Sequence, residues 1–175
     1  MKQVLMVIAP SVFRDEEYAH PKEILEARGV HVTTASTRQG TCTGRFGLKA
    51  TADIALADVV AEDYDAIAFV GGGGAEVFFD DPQAHALART ALESGRILGA
   101  ICIAPSTLAH AGLLEGVAVT AFPSQREDLI AHGALWRNEP VVIDGPIITA
   151  SGPEAARDFG RALAEALLRG VGHVT

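Results

Sequence analysis

Three almost unbroken apolar runs frame the chain: residues 3–9 (QVLMVIA), 65–70 (DAIAFV) and 96–101 (RILGAI). Short runs with no polar alternation suit strands buried on both faces, the mark of a parallel sheet. Between them the pattern becomes helical. Residues 16–28 form one such segment, stopped by Gly29. Residues 82–93 form an amphipathic second, ended by Gly95, and residues 154–169 a last one with Leu163 and Leu167 on its apolar side. Residues 30–35 (VHVTTA) read as the second strand, so the chain opens with a β-α-β unit and a right-handed crossover. Residues 39–54, with their glycine-bounded turns, predict a small hairpin excursion. Residues 117–120 predict a short strand and residues 125–132 a helix. Strands at 140–143 and 147–150 flank the Asp144-Gly145 turn. This alternation predicts an α/β fold, a flavodoxin-like sandwich with a mostly parallel sheet and helices on both faces. With no linker, repeat or low-complexity segment, residues 1–175 read as one domain.

Composition narrows the function classes. Hydrophobic residues make up 49% and charged residues 21%, which suits a globular protein. The net charge of −8 and the lack of any basic run argue against nucleic acid as a partner. No apolar stretch reaches the length of a membrane span, and the opening MKQVLMVIAP runs straight into a strand rather than a signal peptide. The two cysteines, Cys42 and Cys102, make neither a disulfide framework nor a CxxC motif, and a reducing cytoplasm is the expected compartment. Cys42 falls in the hairpin and reads as an exposed, unactivated thiol. The six histidines, His20, His31, His85, His110, His132 and His173, are scattered, and none pairs with another at metal-ligand spacing. No nucleotide-binding glycine pattern is present. Neither a metal nor a cofactor is therefore expected.

The chemistry concentrates at residues 95–112, GRILGAICIAPSTLAHAG. A buried strand ends at Ile101, and Pro105 suits the first turn of a helix. Cys102 thus sits at a sharp strand-to-helix turn, with Ala100 and Ala104 as small neighbours. This is the logic of a nucleophile elbow, with cysteine in place of serine. The helix start is expected to favour thiolate over thiol. Ser106 reads as a hydroxyl bonded back to its own helix. Ligand crevices in such sheets lie beyond the carboxyl ends of the strands. Two other loops emerge there, one carrying Asp15, Glu16 and Glu17 and one carrying Gly71 to Gly74. Glycine amides together with the amide of Ile103 suit an oxyanion hole. A buried, protonated carboxyl would donate a hydrogen bond to a thiolate, whereas an ionised one would repel it.

Several of these pieces occur together in one known family. Glu17 stands four residues before Pro21, followed by GTCTGRFG, the Gly71-Gly72 pair, AICIAP at the elbow, LLEGVAVTAFP after it, and Ser151-Gly152-Pro153 before the last helix. The chain resembles the PfpI/ThiJ superfamily, which has a class I glutamine-amidotransferase-like fold, along nearly its whole length. The resemblance implies Cys102 as nucleophile, Glu17 as the carboxylate touching its sulfur, and the amides of Gly72 and Ile103 as oxyanion donors. It places Glu76 at a subunit contact and implies a homodimer or higher homo-oligomer. The protease-like branch has histidine directly after the cysteine, where this chain has Ile103. The deglycase branch can place one before the proline of the next strand, where this chain has Phe122. The expected activity is therefore cysteine-dependent action on small reactive carbonyls, glyoxalase III-like or deglycase-like, in a stress response. The alternatives are a redox sensor or chaperone that uses an oxidisable Cys102, and an intracellular cysteine peptidase.

Overall fold

The computed structural model describes residues 1–169. His173 and the remaining carboxyl-terminal positions lie outside the described residues. In chain order the elements are β1 (Gln3–Val7), β2 (Ser11–Phe13), α1 (Asp15–Ala27), β3 (His31–Ser36), β4 (Gly40–Gly44), β5 (Lys49–Ala52), β6 (Ile54–Ala55), β7 (Ala66–Phe69), α2 (Pro82–Glu93), β8 (Ile97–Ile101), α3 (Pro105–His110), β9 (Ala118–Val119), α4 (Arg126–Ala131), β10 (Leu135–Trp136), β11 (Val141–Asp144), β12 (Ile147–Ala150) and α5 (Ala156–Arg169). Seven strands form the central sheet in the order β11-β12-β8-β7-β1-β3-β6. All neighbours in it run parallel except the β11–β12 hairpin at the edge. The apolar runs behave as their pattern requires: every residue of β7 and β8 is buried, as are Val4 to Val7 of β1.

Two hydrophobic cores cover the two faces of this sheet. One gathers α1 and α5 with inward residues of the sheet, including Val4, Met6, Leu25, Ile101, Ile148, Phe159 and Leu163. The other gathers α2, α3 and α4 against Leu5, Val7, Ile67, Phe69, Leu98 and Ala100. Successive residues of β1 and β8 thus alternate between the cores, as a period of two dictates. Trp136 packs half-buried against the second core, the anchoring role its position suggests.

The chain leaves β1 toward β3 on one side and later resumes at β7 on the other. That reversal opens a crevice at the carboxyl ends of β1 and β7, with β8 next in the sheet. The 39–54 excursion is indeed a hairpin, β4 against β5, and β2 extends it into a second small sheet. It corrects one expectation. Cys42 is fully buried within β4 rather than exposed in a turn, because the hairpin folds back over the first core.

Candidate active site

Cys102 follows β8 with φ at +65°, a left-handed conformation that costs a non-glycine residue about 1–2 kcal/mol. Both of its peptide groups are held. Its N–H donates to the Ala150 carbonyl at 2.9 Å, and its carbonyl accepts from Phe122 N–H at 2.8 Å. The flanking Ala100 and Ala104 are buried, as the tight bend requires. The elbow expected from the sequence is therefore present, pinned between β12 and the loop after β9.

Glu17 enters from the first turn of α1 and is fully buried. Its neighbours in the DEE triplet do other work. Asp15 accepts from the N–H groups of Phe46 and Leu48 at 3.0 and 2.9 Å, which ties the β4–β5 turn to the helix start. Glu16 pairs with Arg14 through two contacts of 3.0 Å. Pro21 lies inside α1 and has no N–H, so the Glu17 carbonyl lacks its usual helical donor four residues on. Gly71 marks where the acid meets the sulfur-bearing residue. A Cβ there would fall 2.5 Å from Glu17 Oε1 and 2.6 Å from Cys102 Cβ. Only glycine leaves both side chains room in one cavity.

Gly72 has φ at +96°, and a Cβ on it would fall 2.7 Å from both the Phe13 carbonyl carbon and the Val12 oxygen. This close approach brings the β2 arm against the glycine loop, with Arg14 N–H donating to the Gly71 carbonyl at 2.9 Å. The run Gly71 to Gly74 is thus a packing solution rather than a phosphate cradle. It also leaves the Gly72 and Ile103 amides acting on the Cys102 sulfur.

The electrostatics differ from the expected thiolate. Burial, followed by the charge of Glu17, pushes the Cys102 thiol up to about 12, and the Gly72 and Ile103 amides offset only part of this. The helix after the elbow has six residues and starts at Pro105, too short and too late for its dipole to outweigh those effects. Glu17 is the group tuned toward neutrality. Burial raises its carboxyl to about 7, against the lowering influence of Cys102, Arg14 and the Gly71 amide. Cys102 and the Gly71 amide are close enough to lower this pKa. Yet neither carboxyl oxygen has a well-formed hydrogen bond from the described residues.

Other expectations resolve plainly. Glu76 is exposed on the 3-10 turn Gly73–Phe78. Ser106 does not bond back into its helix; its hydroxyl accepts from Gln125 Nε2 at 2.8 Å. Arg14 was missed. It caps α1, its charge reaches both Glu17 and Cys102, and it lies 5.0 Å over the exposed Phe46 ring. The signal was an arginine directly before three acidic residues. Val12, with φ at +58°, is a second strained residue beside the glycine loop and carries no sequence signal.

A cleft of about 490 Å³ adjoins the elbow through Phe122, lined also by Asn138, Ser151, Gly152 and Glu154. A larger open groove of about 950 Å³ runs along Tyr18, Thr34 and β5 and does not include Cys102. The strained Cys102 and the buried Glu17, not the volume, mark the candidate site.

Cys102, Glu17 and the glycine loop all lie within the stretch that one family model covers, the model of the DJ-1/PfpI family. It matches residues 2–166. The chain belongs to the DJ-1/PfpI family. Among its relatives, it is 39% identical to an uncharacterised protein, MJ0967, of Methanocaldococcus jannaschii, over 94% of this chain and 82% of that one. It is 32% identical to the putative cysteine protease YraA of Bacillus subtilis, over 92% and 96%. It is 30% identical to the deglycase PH1704 of Pyrococcus horikoshii, over 85% and 90%. The crystal structure of a ThiJ/PfpI domain protein from Brachyspira murdochii superposes with a TM-score of 0.94 at 32% identity, covering 95% of this chain and 96% of that one. The flavodoxin-like fold is therefore shared across the family. No described helix is long and apolar enough to cross a membrane.

Proposed function

We propose that this protein is a cysteine-dependent stress-response enzyme acting on small reactive carbonyls, in a glyoxalase III-like or deglycase-like manner. The observation that carries the reading is the pairing of Cys102 with a buried carboxyl that titrates at about 7. One proton shared by this pair gives two tautomers. The minor one places the charge on sulfur and the proton on Glu17, a nucleophile and its general acid in contact. The thiolate attacks the aldehyde carbon and forms a C–S bond. The carbonyl oxygen takes the Glu17 proton, which gives a hemithioacetal. The amides of Gly72 and Ile103 hold the developing oxyanion. With a 2-oxoaldehyde, the Glu17 carboxylate then takes the proton from that carbon to give an enediolate, the hydroxyl proton passes to the neighbouring oxygen, and Glu17 returns its proton to the neighbouring carbon. The product is a thioester of a 2-hydroxy acid, which water cleaves to free acid and thiol. The relatives named deglycases support carbonyl chemistry as the substrate class.

The protease reading has a named relative behind it, but Ile103 stands where a catalytic imidazole belongs in the protease-like branch. The groups acting on Cys102 are Glu17, Arg14 and the amides of Gly72 and Ile103, with no histidine among them. Loss of methylglyoxal and appearance of lactate, followed for wild type, Cys102→Ala and Glu17→Gln, tests the proposal. Turnover in the wild type that falls at least a hundredfold in both variants is expected. Equal rates in wild type and Cys102→Ala overturn it.

The unpartnered Glu17 oxygens favour one second reading, a redox sensor. A protonated Glu17 donates equally well to a sulfinate on Cys102. Mild peroxide followed by intact mass distinguishes the two, since a sensor gains two oxygens at Cys102 and lacks methylglyoxal turnover.

A further inference from the structure

We propose that His110, Asp128 and His132 form a binding site for one divalent transition-metal ion of the zinc or nickel type, outside the Cys102 cavity. The sequence gives no hint of it, because the two histidines are far apart in the chain. The fold brings them together. His110 ends α3, Asp128 lies in α4, and His132 caps the carboxyl end of α4, four residues after Asp128 on the same face. The two imidazole rings stack with centroids 4.8 Å apart.

The hydrogen bonds around His110 make the case. Its Nδ1 lies 2.8 Å from Asp80 Oδ1, and its Nε2 lies 2.9 Å from Asp128 Oδ2. A neutral imidazole carries one N–H and satisfies one carboxylate. If that proton faces Asp80, the Nε2 lone pair faces the Asp128 oxygens, two acceptors at short range. A positive species between them resolves the clash. A proton on His110 would do so too, and His132 Nδ1 meanwhile lies 2.8 Å from the Asp128 carbonyl oxygen. His132 Nδ1 nonetheless lies 3.5 Å from Asp128 Oδ1. A metal ion uses all three groups.

The distances suit one. Ligands at about 2.0–2.1 Å from a tetrahedral zinc lie about 3.4 Å from one another. Here the measured separations to Asp128 are 2.9 and 3.5 Å, and all three donor atoms fall within 4.8 Å. Small side-chain rotations close the remainder. Asp80 then plays the outer-sphere role usual at such sites, accepting from the far nitrogen of a ligand histidine and fixing its tautomer. Phe79 packs its ring edge against His110 from the other side, at 5.7 Å. His132 is partly exposed, which leaves a path for the ion and a fourth position for water.

Zinc chloride titrated calorimetrically into metal-stripped Cys102→Ser protein tests this, since that background removes the less deeply buried of the two thiols as a competing ligand. One equivalent of zinc bound with a micromolar or tighter Kd is expected. His132→Ala and Asp128→Asn should each weaken it at least a hundredfold, and Asp80→Asn about tenfold. Circular dichroism of each variant confirms that it is folded, and His132 is exposed enough for its removal to be tolerated. Cobalt in place of zinc should give the visible bands of a four-coordinate nitrogen and oxygen site, lost in His132→Ala. No saturable binding to the folded parent protein, or binding unchanged by His132→Ala and Asp128→Asn, overturns the proposal.

Discussion

Replacing Glu17 with glutamine should change the shape of the Cys102 reactivity profile, not only its height. The thiol stands at about 12, with burial and then the Glu17 charge as the leading causes. Burial is the larger cause, so removing that charge lowers the thiol only part of the way back to its ordinary value. Glu17 titrates at about 7 while its neighbour is still a thiol. The singly protonated pair therefore exists mainly as carboxylate and thiol, and a minor tautomer carries its charge on sulfur. Below about pH 7 the thiolate fraction rises roughly tenfold per pH unit in wild type and in Glu17→Gln alike. Above about pH 7 the wild type levels off at that minor fraction, because Glu17 has ionised and holds the thiol proton in place. The variant continues to climb, so at pH ~8, one unit above the Glu17 value, it should be alkylated about tenfold faster. Iodoacetamide rates at several pH values, with peptide mass spectrometry separating Cys102 from the buried Cys42, provide the measurement. A wild-type profile that rises without a break from pH ~6 to ~9 would refute the coupling. So would a Glu17→Gln profile that superposes on it.

The same substitution bears on stability. The folded pKa of Glu17 is raised to about 7 from 4.5, so the native state holds a proton that the unfolded chain has lost. The benefit of the neutral form is complete below about pH 4.5 and is lost as pH rises through about 7. Glu17→Gln should therefore be more stable than wild type by ~3 kcal/mol at pH ~8 and nearly equal at pH ~4.5, as read by urea denaturation. A gap that does not shrink toward acid pH would contradict the assignment. Gly72→Ala should lose ~2–6 kcal/mol, combining the strain of its backbone conformation with a collision against the β2 arm. It should also move the Gly72 amide off the sulfur, lowering carbonyl turnover even in the folded fraction. A variant with wild-type stability and turnover would show that the arm can simply move aside.

The layers of the fold were legible because burial on both faces leaves an unmistakable apolar signature. β1, β7 and β8 all fall within one or two residues of the runs that announced them, and Gly29 and Gly95 do follow their helices. The elbow was legible for a similar reason. Pro105 and two flanking alanines limit how the chain can leave β8. What was illegible came from long-range proximity. The pKa of Cys102 depends on a charge 85 positions away, and nothing local to AICIAP announces its sign. Cys42 was misplaced because a hairpin read in isolation has an outside, whereas this one packs its inner face on α1 and the sheet. Ser106 was misjudged because its partner, Gln125, arrives from another segment. The His110–His132 stack escaped notice because ligand spacing along a chain says nothing about ligands drawn from two helices.

The deviations from ordinary chain chemistry are not scattered over the molecule. The only two non-glycine residues with positive φ among the described residues are Val12 and Cys102. Val12 lies beside Gly72 and Gly73, and Gly72 in turn supplies an amide to the Cys102 sulfur. The fully buried carboxylate with neither oxygen well partnered is Glu17, in the same cavity. Strain and an unpartnered polar group each cost on the order of 1–3 kcal/mol. Folding alone would remove them, and a glycine at 102 or a leucine at 17 is an easy replacement. The surrounding strands instead hold them, with every residue of β7 and β8 buried to over-determine the bend. Costs that converge on one sulfur while the rest of the sheet follows its rules are what a reacting site requires. A fold serving only as a scaffold has no reason to keep a carboxyl near neutrality beside a strained, buried thiol.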